Sequence, residues 1–264
     1  MQQLSIKRMI HSRVVRWALY TGLFFTVLMT VLRLVFFIFF RQLHLTWGES
    51  LPSFLLGLRY DLRVAAVIML VMLIFGSIRI FNPYESSRAR KIWFWLLGIT
   101  TTLLCFFYAM DFGHYAYLSQ RLNASVMNFM EDAGISLSMV WQSYPVIKIM
   151  LGLTISIFLI MWAIKRLYRK AAIIPVPVSR KNKIIVFILA FLVFGLGIFG
   201  RIGQYPLRWS FAFSFGNDNK ANLALNPIQS FFSTLKFRKS TFDIAKTRSH
   251  YKLMATQLNL TNLD

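Results

Sequence analysis

Cysteine and acidic residues are both scarce in this sequence. Its one cysteine, Cys105, lies inside an apolar run, which excludes a disulfide framework and a zinc site built from cysteines. Aspartate and glutamate together number 9 against 30 lysines and arginines, so the formal net charge is +21. Charged residues make up 15% of the chain, whereas soluble domains carry about 25%. Long apolar runs take their place, which predicts a protein that lies in lipid.

Recognisable catalytic motifs are missing as well. The sequence has no GxxxxGKS/T phosphate loop, no GxGxxG after a strand, no HExxH and no CxxC. Its histidines are scattered: His11, His44, His114 and His250. Asp111 and His114 are close in sequence, but two potential ligands do not make a metal site, and we expect ordinary hydrogen bonds from them. The sequence therefore predicts no catalytic residue, no metal site and no cofactor in this chain.

The excess of basic residues has two possible meanings. A strongly basic protein can bind nucleic acid through one polar face. Here the lysines and arginines lie between the apolar runs, which is typical of membrane topology signals and of attraction to anionic lipid headgroups. The expected partner is therefore membrane lipid and not nucleic acid, while the oligomeric state stays open.

Five segments are long and apolar enough to cross about 30 Å of hydrocarbon as a helix. The second has a short apolar centre between Arg63 and Arg79, so its helix is expected to begin earlier, near 51–58. The five predicted spans have their apolar parts at about 14–40, 64–78, 92–110, 145–164 and 184–200. The predicted fold class is an all-α integral membrane protein with about five transmembrane helices, short outer-surface helices and a C-terminal helical linker.

The distribution of lysine and arginine predicts the orientation of these spans. Both residues are concentrated in the N-terminal segment and in the connections after the second and fourth spans. Such segments stay in the cytoplasm. Tryptophans lie near predicted helix ends, as expected for membrane interfaces. We therefore expect a bacterial inner-membrane protein with a cytoplasmic N-terminus and an extracytoplasmic C-terminus. The basic tail is compatible because long tails translocate largely regardless of charge.

Two of the expected outer segments have helical patterns. Apolar spacing predicts a helix from Tyr117 that breaks near Gly134. In the tail, a turn-rich stretch at 215–220 precedes a helix capped by Asn226 that runs to about Arg238, and a further helix is predicted over 241–258. The apolar face of the segment 222–239 packs either on the outer membrane surface or on the protein's own helices, and the pattern does not choose between them.

Charged residues around the start of the second span are the most informative local feature. Arg59 and Arg63 share a helix face, Asp61 lies between them, and Arg33 lies at a similar depth in the first span. Arginines near hydrocarbon can snorkel, or they can form a pocket for a lipid phosphate. The four residues are the candidate lipid-phosphate site. Because pairing offsets desolvation, Arg33 and Asp61 are predicted to lie next to each other.

Four stretches of the sequence carry a resemblance to a known family. They are GLRYDLR at 57–63, the loop from DFGHYAYLSQRLN at 111–123 to WQSYPV at 141–146, the GRIG of 200–203 with the following Pro206 and Leu207, and NLALNP at 222–227. Their order, together with five spans, resembles the membrane domain of the lipoteichoic acid synthase family. That family includes phosphoglycerol transferases and membrane sulfatase-like proteins of the alkaline phosphatase superfamily. The match runs from about residue 20 to the C-terminus.

The resemblance implies a division of the chain at about residue 203. Residues 1–203 would be a five-helix transmembrane domain, and 204–264 an extracytoplasmic linker leading to a catalytic domain that is absent from this chain. In the family that domain uses a threonine nucleophile and a divalent metal such as manganese. The threonines of this tail are not surrounded by acidic or histidine ligands, so no catalytic residue is carried over.

Two functions follow as hypotheses. The first is a membrane anchor of a lipoteichoic-acid-synthase-like phosphoglycerol transferase or sulfatase-like protein, which presents an anionic glycerophospholipid at the outer face. The second is a free-standing multi-pass membrane protein that acts as an assembly or regulatory partner without catalysis. A small transporter is disfavoured because the spans lack midplane polar residues and Gly/Pro breaks.

Overall fold

Long helices dominate the computed structural model, which describes residues 12–40, 45–130, 133–173, 180–237 and 244–257. No strand occurs among these residues. The main helices, in chain order, are α1 (Arg13–Phe39), α2 (Trp47–Ser77), α3 (Ser87–Leu118), α4 (Ala133–Ser143), α5 (Val146–Ala172) and α6 (Arg180–Phe199). Each of the five predicted spans falls on one of these helices. Helix α1 packs most extensively on α2, while α5 packs on α1 and α3, and α6 on α2.

Four of the helices are long and apolar enough to cross a membrane. They are α1, α3, α5 and the part of α6 from Lys181 to Phe199. These apolar helices indicate a membrane-embedded protein. Helix α2, which carries the second predicted span, is not one of the four. The count of five spans therefore stays a prediction.

Helix α2 begins earlier than hydropathy predicted. Its first residue is Trp47, because the side chain of Thr46 accepts a hydrogen bond from the backbone of Glu49 while Glu49 accepts one from the backbone of Thr46. This reciprocal capping box satisfies two of the free N–H groups at the helix start. Its Thr-x-x-Glu signature is present in the sequence and would have placed the start correctly.

The chain reverses directly after α3, so the prediction of a helix from Tyr117 to about Gly134 was wrong. Helix α3 ends at Leu118, and Ser119 adopts a left-handed conformation with φ 54°. A 3₁₀ segment follows at Ala124–Met130, and Gly134 lies inside α4 instead of ending a helix. Arg121 and Leu122, which follow the reversal, contact Asp111 of α3. These contacts stabilise the reversal more than the helical spacing of the apolar residues stabilises a helix.

The tail after α6 is built of short helices. A 3₁₀ segment at Trp209–Phe215 is followed by Gly216 with φ 63°, which confirms a turn in the predicted turn-rich stretch. The remaining elements are α7 (Asp218–Ala224), α8 (Pro227–Thr234), a 3₁₀ segment at Leu235–Phe237, α9 (Ile244–Ser249) and α10 (Tyr251–Gln257).

The predicted tail helices are confirmed in part. Asn226 caps α8 and Pro227 stands in its first turn, as predicted. The helix predicted over 241–258 is divided into α9 and α10 around His250. The predicted ends at Arg238, Lys239, Thr241 and Leu258 lie outside the described residues, as do His11 and His44.

Two side-chain clusters lie at opposite ends of α1. Near its start, five aromatic residues pack together, and we call them the aromatic cluster: Trp17, Tyr84, Trp93, Phe94 and Tyr168. Towards its end lie five buried polar residues, the polar cluster: Arg33, Asp61, Asp111, Arg121 and Asn226. The turn between α2 and α3 and the end of α5 are therefore at one end of the bundle, and the segments after α3 and α6 at the other.

Candidate functional site: a buried polar cluster and the cavity beside it

Arg33 is almost completely enclosed, with 1% of its surface exposed. Its Nη1 atom donates to the carbonyl oxygens of Leu223, Ala224 (2.6 Å) and Leu225 (3.1 Å). These carbonyls stand at the end of α7, where the last turn of a helix leaves its acceptors unsatisfied and favours a cation. Arg33 therefore caps α7 from inside the bundle and ties the tail to α1.

The other terminal nitrogen of Arg33 binds α2. Its Nη2 atom donates to Asp61 Oδ1 at 2.6 Å and to the carbonyl oxygen of Gly57 at 3.1 Å. The predicted Arg33–Asp61 pair is thus confirmed. A Cβ atom on Gly57 would lie 2.4 Å from Arg33 Cζ, so only glycine allows the guanidinium this close to α2.

Asp61 accepts from three side chains, two on α1 and one at the start of α8. Besides Arg33, the Asn226 side-chain amide donates to Oδ1 at 2.9 Å, and the Thr30 hydroxyl donates to Oδ2 at 3.3 Å. The Asp61 side chain is fully buried, so these partners replace its hydration. A buried carboxylate satisfied in this way fixes the relative positions of α1, α2 and the start of α8.

Asn226 acts at the junction of α7 and α8. Its side-chain oxygen accepts from the backbone N–H groups of Ile228 and Gln229, while its amide nitrogen also lies 3.3 Å from the Tyr108 hydroxyl of α3. One fully buried residue therefore caps α8 and connects it to α2 and α3. We call residues 221–230 the strap; Ala221–Pro227 and Ser230 in it are buried.

A second buried ion pair fixes the reversal after α3. Arg121 Nη2 lies 3.1 Å from Asp111 Oδ2, and Asp111 Oδ1 accepts from the backbone of Leu122 at 2.8 Å. His114 Nδ1 lies 2.9 Å from the carbonyl oxygen of Gln120. Asp111 and His114 thus make ordinary contacts to the following segment. Among the described residues, no group of three potential ligands could hold a metal ion.

Arg121 is a buried cation that does not use all its hydrogen-bond donors. Its guanidinium carbon lies 4.1 Å above the ring of Phe36, and 3% of the residue is exposed. Its Nε and Nη1 atoms have no hydrogen-bond partner. Burial lowers the pKa of Arg121 below its ordinary value, while the Asp111 carboxylate raises it. The guanidinium keeps its charge, because arginine is effectively always protonated.

Arg121 lines a cavity of about 720 Å³ between the reversal after α3 and the tail. The cavity wall combines hydroxyl and amide side chains with aromatic rings. Its lining residues are Leu118, Ser119, Gln120, Arg121, Asn123, Ala124, Ser125, Trp209, Phe213, Asp218, Asn222, Leu225, Ser230, Thr234 and Phe237. A site of this volume can hold a small organic molecule.

The four residues of the predicted lipid-phosphate site do not form one pocket. Arg33 and Asp61 are enclosed by the protein's own chain, whereas Arg59 is exposed. Arg63 is half-buried and donates to the carbonyl oxygen of Leu207. Arg33 therefore binds the strap. A lipid-phosphate role for Arg59 or Arg63 stays a prediction.

Sequence reasoning did not identify Arg121 as a site residue and gave Asn226 only a capping role. Had α3 continued through Arg121, that residue would lie about 15 Å along the helix from Asp111. Only the reversal at Ser119 brings the two together. For Asn226 a signal existed, since an asparagine followed by proline at a helix start predicts the cap, but its contact with Asp61 has no local sequence signature.

The fold and its interior define a class of protein, a helical membrane-embedded protein with a polar cluster at one end of its bundle. Comparison with family models, curated proteins and solved structures gives no match. The resemblance to the lipoteichoic acid synthase family therefore remains a hypothesis.

Proposed function

We propose that this chain is a membrane anchor that holds the segment after its last span in a fixed position against its own helices, on the extracytoplasmic side. In this proposal it has five spans, lies in a bacterial inner membrane with its N-terminus in the cytoplasm, and belongs to a lipoteichoic-acid-synthase-like phosphoglycerol transferase or sulfatase-like protein. It also presents an anionic glycerophospholipid at the outer face. The chain itself contributes anchoring and positioning, and no catalytic step is assigned to it.

The observation that carries this proposal is the contact of Arg33 with the carbonyl oxygens at the end of α7. A tail needed only as a loose tether would gain nothing from a buried cation inside the bundle, since burying a charge costs several kcal/mol unless it is paired. The strap instead supplies acceptors for the Nη1 atom of Arg33 in place of water. A segment held this way has a defined height and direction relative to the spans.

Contacts farther along the tail extend the same support. The backbone of Ala124 donates to the Thr234 hydroxyl at 2.9 Å. Phe231 and Phe232 lie against Phe107 of α3, with ring centroids 5.2 and 5.9 Å apart. Of the two alternatives for the apolar face of this segment, packing on the protein's own helices is therefore the one that these contacts support.

Reporter fusions test the topology. Alkaline phosphatase fused after Asp264 is expected to be active, because it would fold outside the cytoplasm, and a fusion near Lys170 is expected to be inactive. The reverse pattern would overturn the proposed orientation.

Hydrogen exchange in nanodiscs tests the positioning. We expect slow exchange across the strap in the native chain, and faster exchange there after Asp61→Ala, while the protein stays in the membrane fraction. Fast exchange throughout the strap of the native chain would contradict a positioning function even if the topology is as proposed.

A further inference from the structure

Helix α4 (Ala133–Ser143) is exposed around most of its circumference although it is largely apolar. Four of its large apolar side chains are exposed: Ile135 (64%), Met139 (58%), Val140 (48%) and Trp141 (62%). With 3.6 residues per turn, these four are distributed over roughly 240° of the helix circumference. The remaining arc carries Ser138 and Gln142, which are exposed as well. The protein therefore covers little of the surface of α4.

The helix also lacks the charged residues that suit a helix surface to water. Residues 133–147 contain none, and the nearest charges in the sequence are Asp132 before the helix and Lys148 after it. The Ser138 hydroxyl donates to the carbonyl oxygen of Ile135 at 2.8 Å, so its hydrogen bond stays within the helix. A helix that is apolar all round belongs in a protein core or in a membrane. Because α4 is not in the core of this protein, lipid is the environment that its sequence fits.

The length and composition of α4 lead to the same environment. The helix has 11 residues, and isolated helices shorter than about 12–15 residues are marginal in water even when they are rich in alanine. Its sequence AGISLSMVWQS contains one alanine, and its serine, valine and isoleucine residues favour helix less. Its main contact in the described structure is the 3₁₀ segment Ala124–Met130. Lipid supports such a helix because no water competes there for the backbone hydrogen bonds.

The next helix places α4 at the edge of the membrane. Helix α5 begins at Val146 and has 27 residues, about 40 Å, so it can cross the roughly 30 Å of hydrocarbon without α4. Pro145 separates the two helices, since proline does not continue a helix that precedes it. Trp141 and Tyr144 near this junction are residue types that prefer the membrane–water interface. We propose that α4 lies in the lipid interface at the polar-cluster end of the bundle, with lipid around its exposed sides.

This position would connect the membrane to the support of the tail. Helix α4 packs on the 3₁₀ segment whose first residue, Ala124, donates to the Thr234 hydroxyl at 2.9 Å. Lipid that holds α4 therefore also holds one of the contacts of the tail. Because α4 is uncharged, its partner is the apolar part of the bilayer, and no particular headgroup is required. The inference goes beyond the anchor function and is independent of which side of the membrane this end faces.

Spin labelling of the full chain in phosphatidylcholine nanodiscs tests this contact. After Cys105→Ala removes the native cysteine, a nitroxide is attached in turn to Ile135→Cys, Val140→Cys and Trp141→Cys, which lie on different sides of α4. Power saturation measures collisions of each label with oxygen, which concentrates in lipid, and with a nickel chelate, which stays in water. Phe158→Cys, at a 71% exposed residue inside α5, serves as the lipid reference. Glu85→Cys, at an exposed residue between α2 and α3, serves as the water reference.

We expect the oxygen-to-nickel collision ratio at all three α4 positions to be at least fivefold above that at Glu85→Cys. A smaller ratio at any of the three overturns the proposal, because that side of α4 would then lie in water. Collisions with both reagents far below those at Phe158→Cys overturn it as well, because another protein or a second copy of this chain would then cover the helix.

A charge placed on α4 gives a second, matched test. Met139→Asp puts a carboxylate where the proposal places lipid, and the cost of burying it should lift the helix towards water. The ratio of the label at Ile135→Cys should then fall at least threefold. The control is Met254→Asp, since Met254 is an exposed methionine (52%) of α10, and it should leave the ratio unchanged. Equal ratios in the two variants would contradict the proposal. Thermal unfolding midpoints establish that each variant is folded.

Discussion

The two ends of the bundle are held together in different ways. In the aromatic cluster, Trp17 makes edge contacts with Tyr168 and Trp93, whose ring centroids lie 5.2 and 6.0 Å away, and Tyr84 stacks on Tyr168 at 4.6 Å. Burial raises the pKa of Tyr84 well above its ordinary value, so its hydroxyl stays neutral. In the polar cluster the contacts are made by buried charges instead.

The difference matters because lipid is itself apolar. Lipid tails compete with aromatic and aliphatic surfaces, so apolar packing between helices is a weak selector of one arrangement. A buried ion pair has no equivalent partner in lipid, and separating it leaves a charge without compensation. We therefore expect changes in the polar cluster to release the strap, and changes in the aromatic cluster to remain local.

The largest effect is expected for Asp61→Ala. This change leaves Arg33 buried without its carboxylate and removes a partner of Asn226, so the free energy of unfolding should fall by about 3–5 kcal/mol. Unfolding in mixed micelles measures the loss. The control Arg59→Ala alters an exposed arginine on the same helix and should change stability by less than about 0.5 kcal/mol. Equal stability of the two variants would refute the difference between the clusters.

The two capping asparagines of the tail offer a matched comparison. Asn226→Ala removes a helix cap and a hydrogen bond to a buried carboxylate, and should lower the free energy of unfolding by about 2–4 kcal/mol. Asn217 is exposed and caps α7 through one bond to the backbone of Lys220 at 3.1 Å. Asn217→Ala should therefore lose only about 1 kcal/mol. A cost for Asn217→Ala as large as that for Asn226→Ala would argue against the contact with Asp61.

Two glycines inside long helices give opposite expectations. Gly57→Ala brings a methyl group against the Arg33 guanidinium and should destabilise the protein by about 1–3 kcal/mol despite the better helix propensity of alanine. Gly113 in α3 has open space at the same position, so Gly113→Ala should stabilise by about 0.5–1 kcal/mol. Thermal unfolding of the two variants measures the sign of each change. Stabilisation by Gly57→Ala would show that Arg33 can leave its position freely.

The smallest effect is expected in the aromatic cluster. Trp93 donates through its ring nitrogen to the carbonyl oxygen of Phe81 at 2.8 Å. Trp93→Phe removes this bond while keeping an aromatic ring, and should lower the free energy of unfolding by about 0.5–1.5 kcal/mol. Hydrogen exchange of the strap should be unchanged. Faster exchange of the strap in this variant would show that the two clusters are coupled.

Part of the polar cluster could be predicted from the sequence. Arg33 and Asp61 stand at similar depths on consecutive helices, and the cost of an unpaired charge in lipid was enough to predict their pairing. The carbonyl oxygens that accept hydrogen bonds from Arg33 could not be predicted, because every residue has one and none carries a sequence signature. The lipid-phosphate prediction assumed that the Arg33 guanidinium was accessible to lipid. The strap covers it, and nothing in the sequence pattern indicated that contact.

The sequence by itself determined the long apolar helices, the cap at Asn226 and the Arg33–Asp61 pair. Each follows from local chemistry or from the demand of lipid that charges and backbone groups find partners. Only the tertiary structure decided that the chain reverses at Ser119, that the strap enters the bundle, and that Arg121 is left with free donors beside a cavity. Those features depend on contacts between distant segments, such as Arg33 with Leu225, which are 192 residues apart, and the free energy of such contacts appears only once the segments have met.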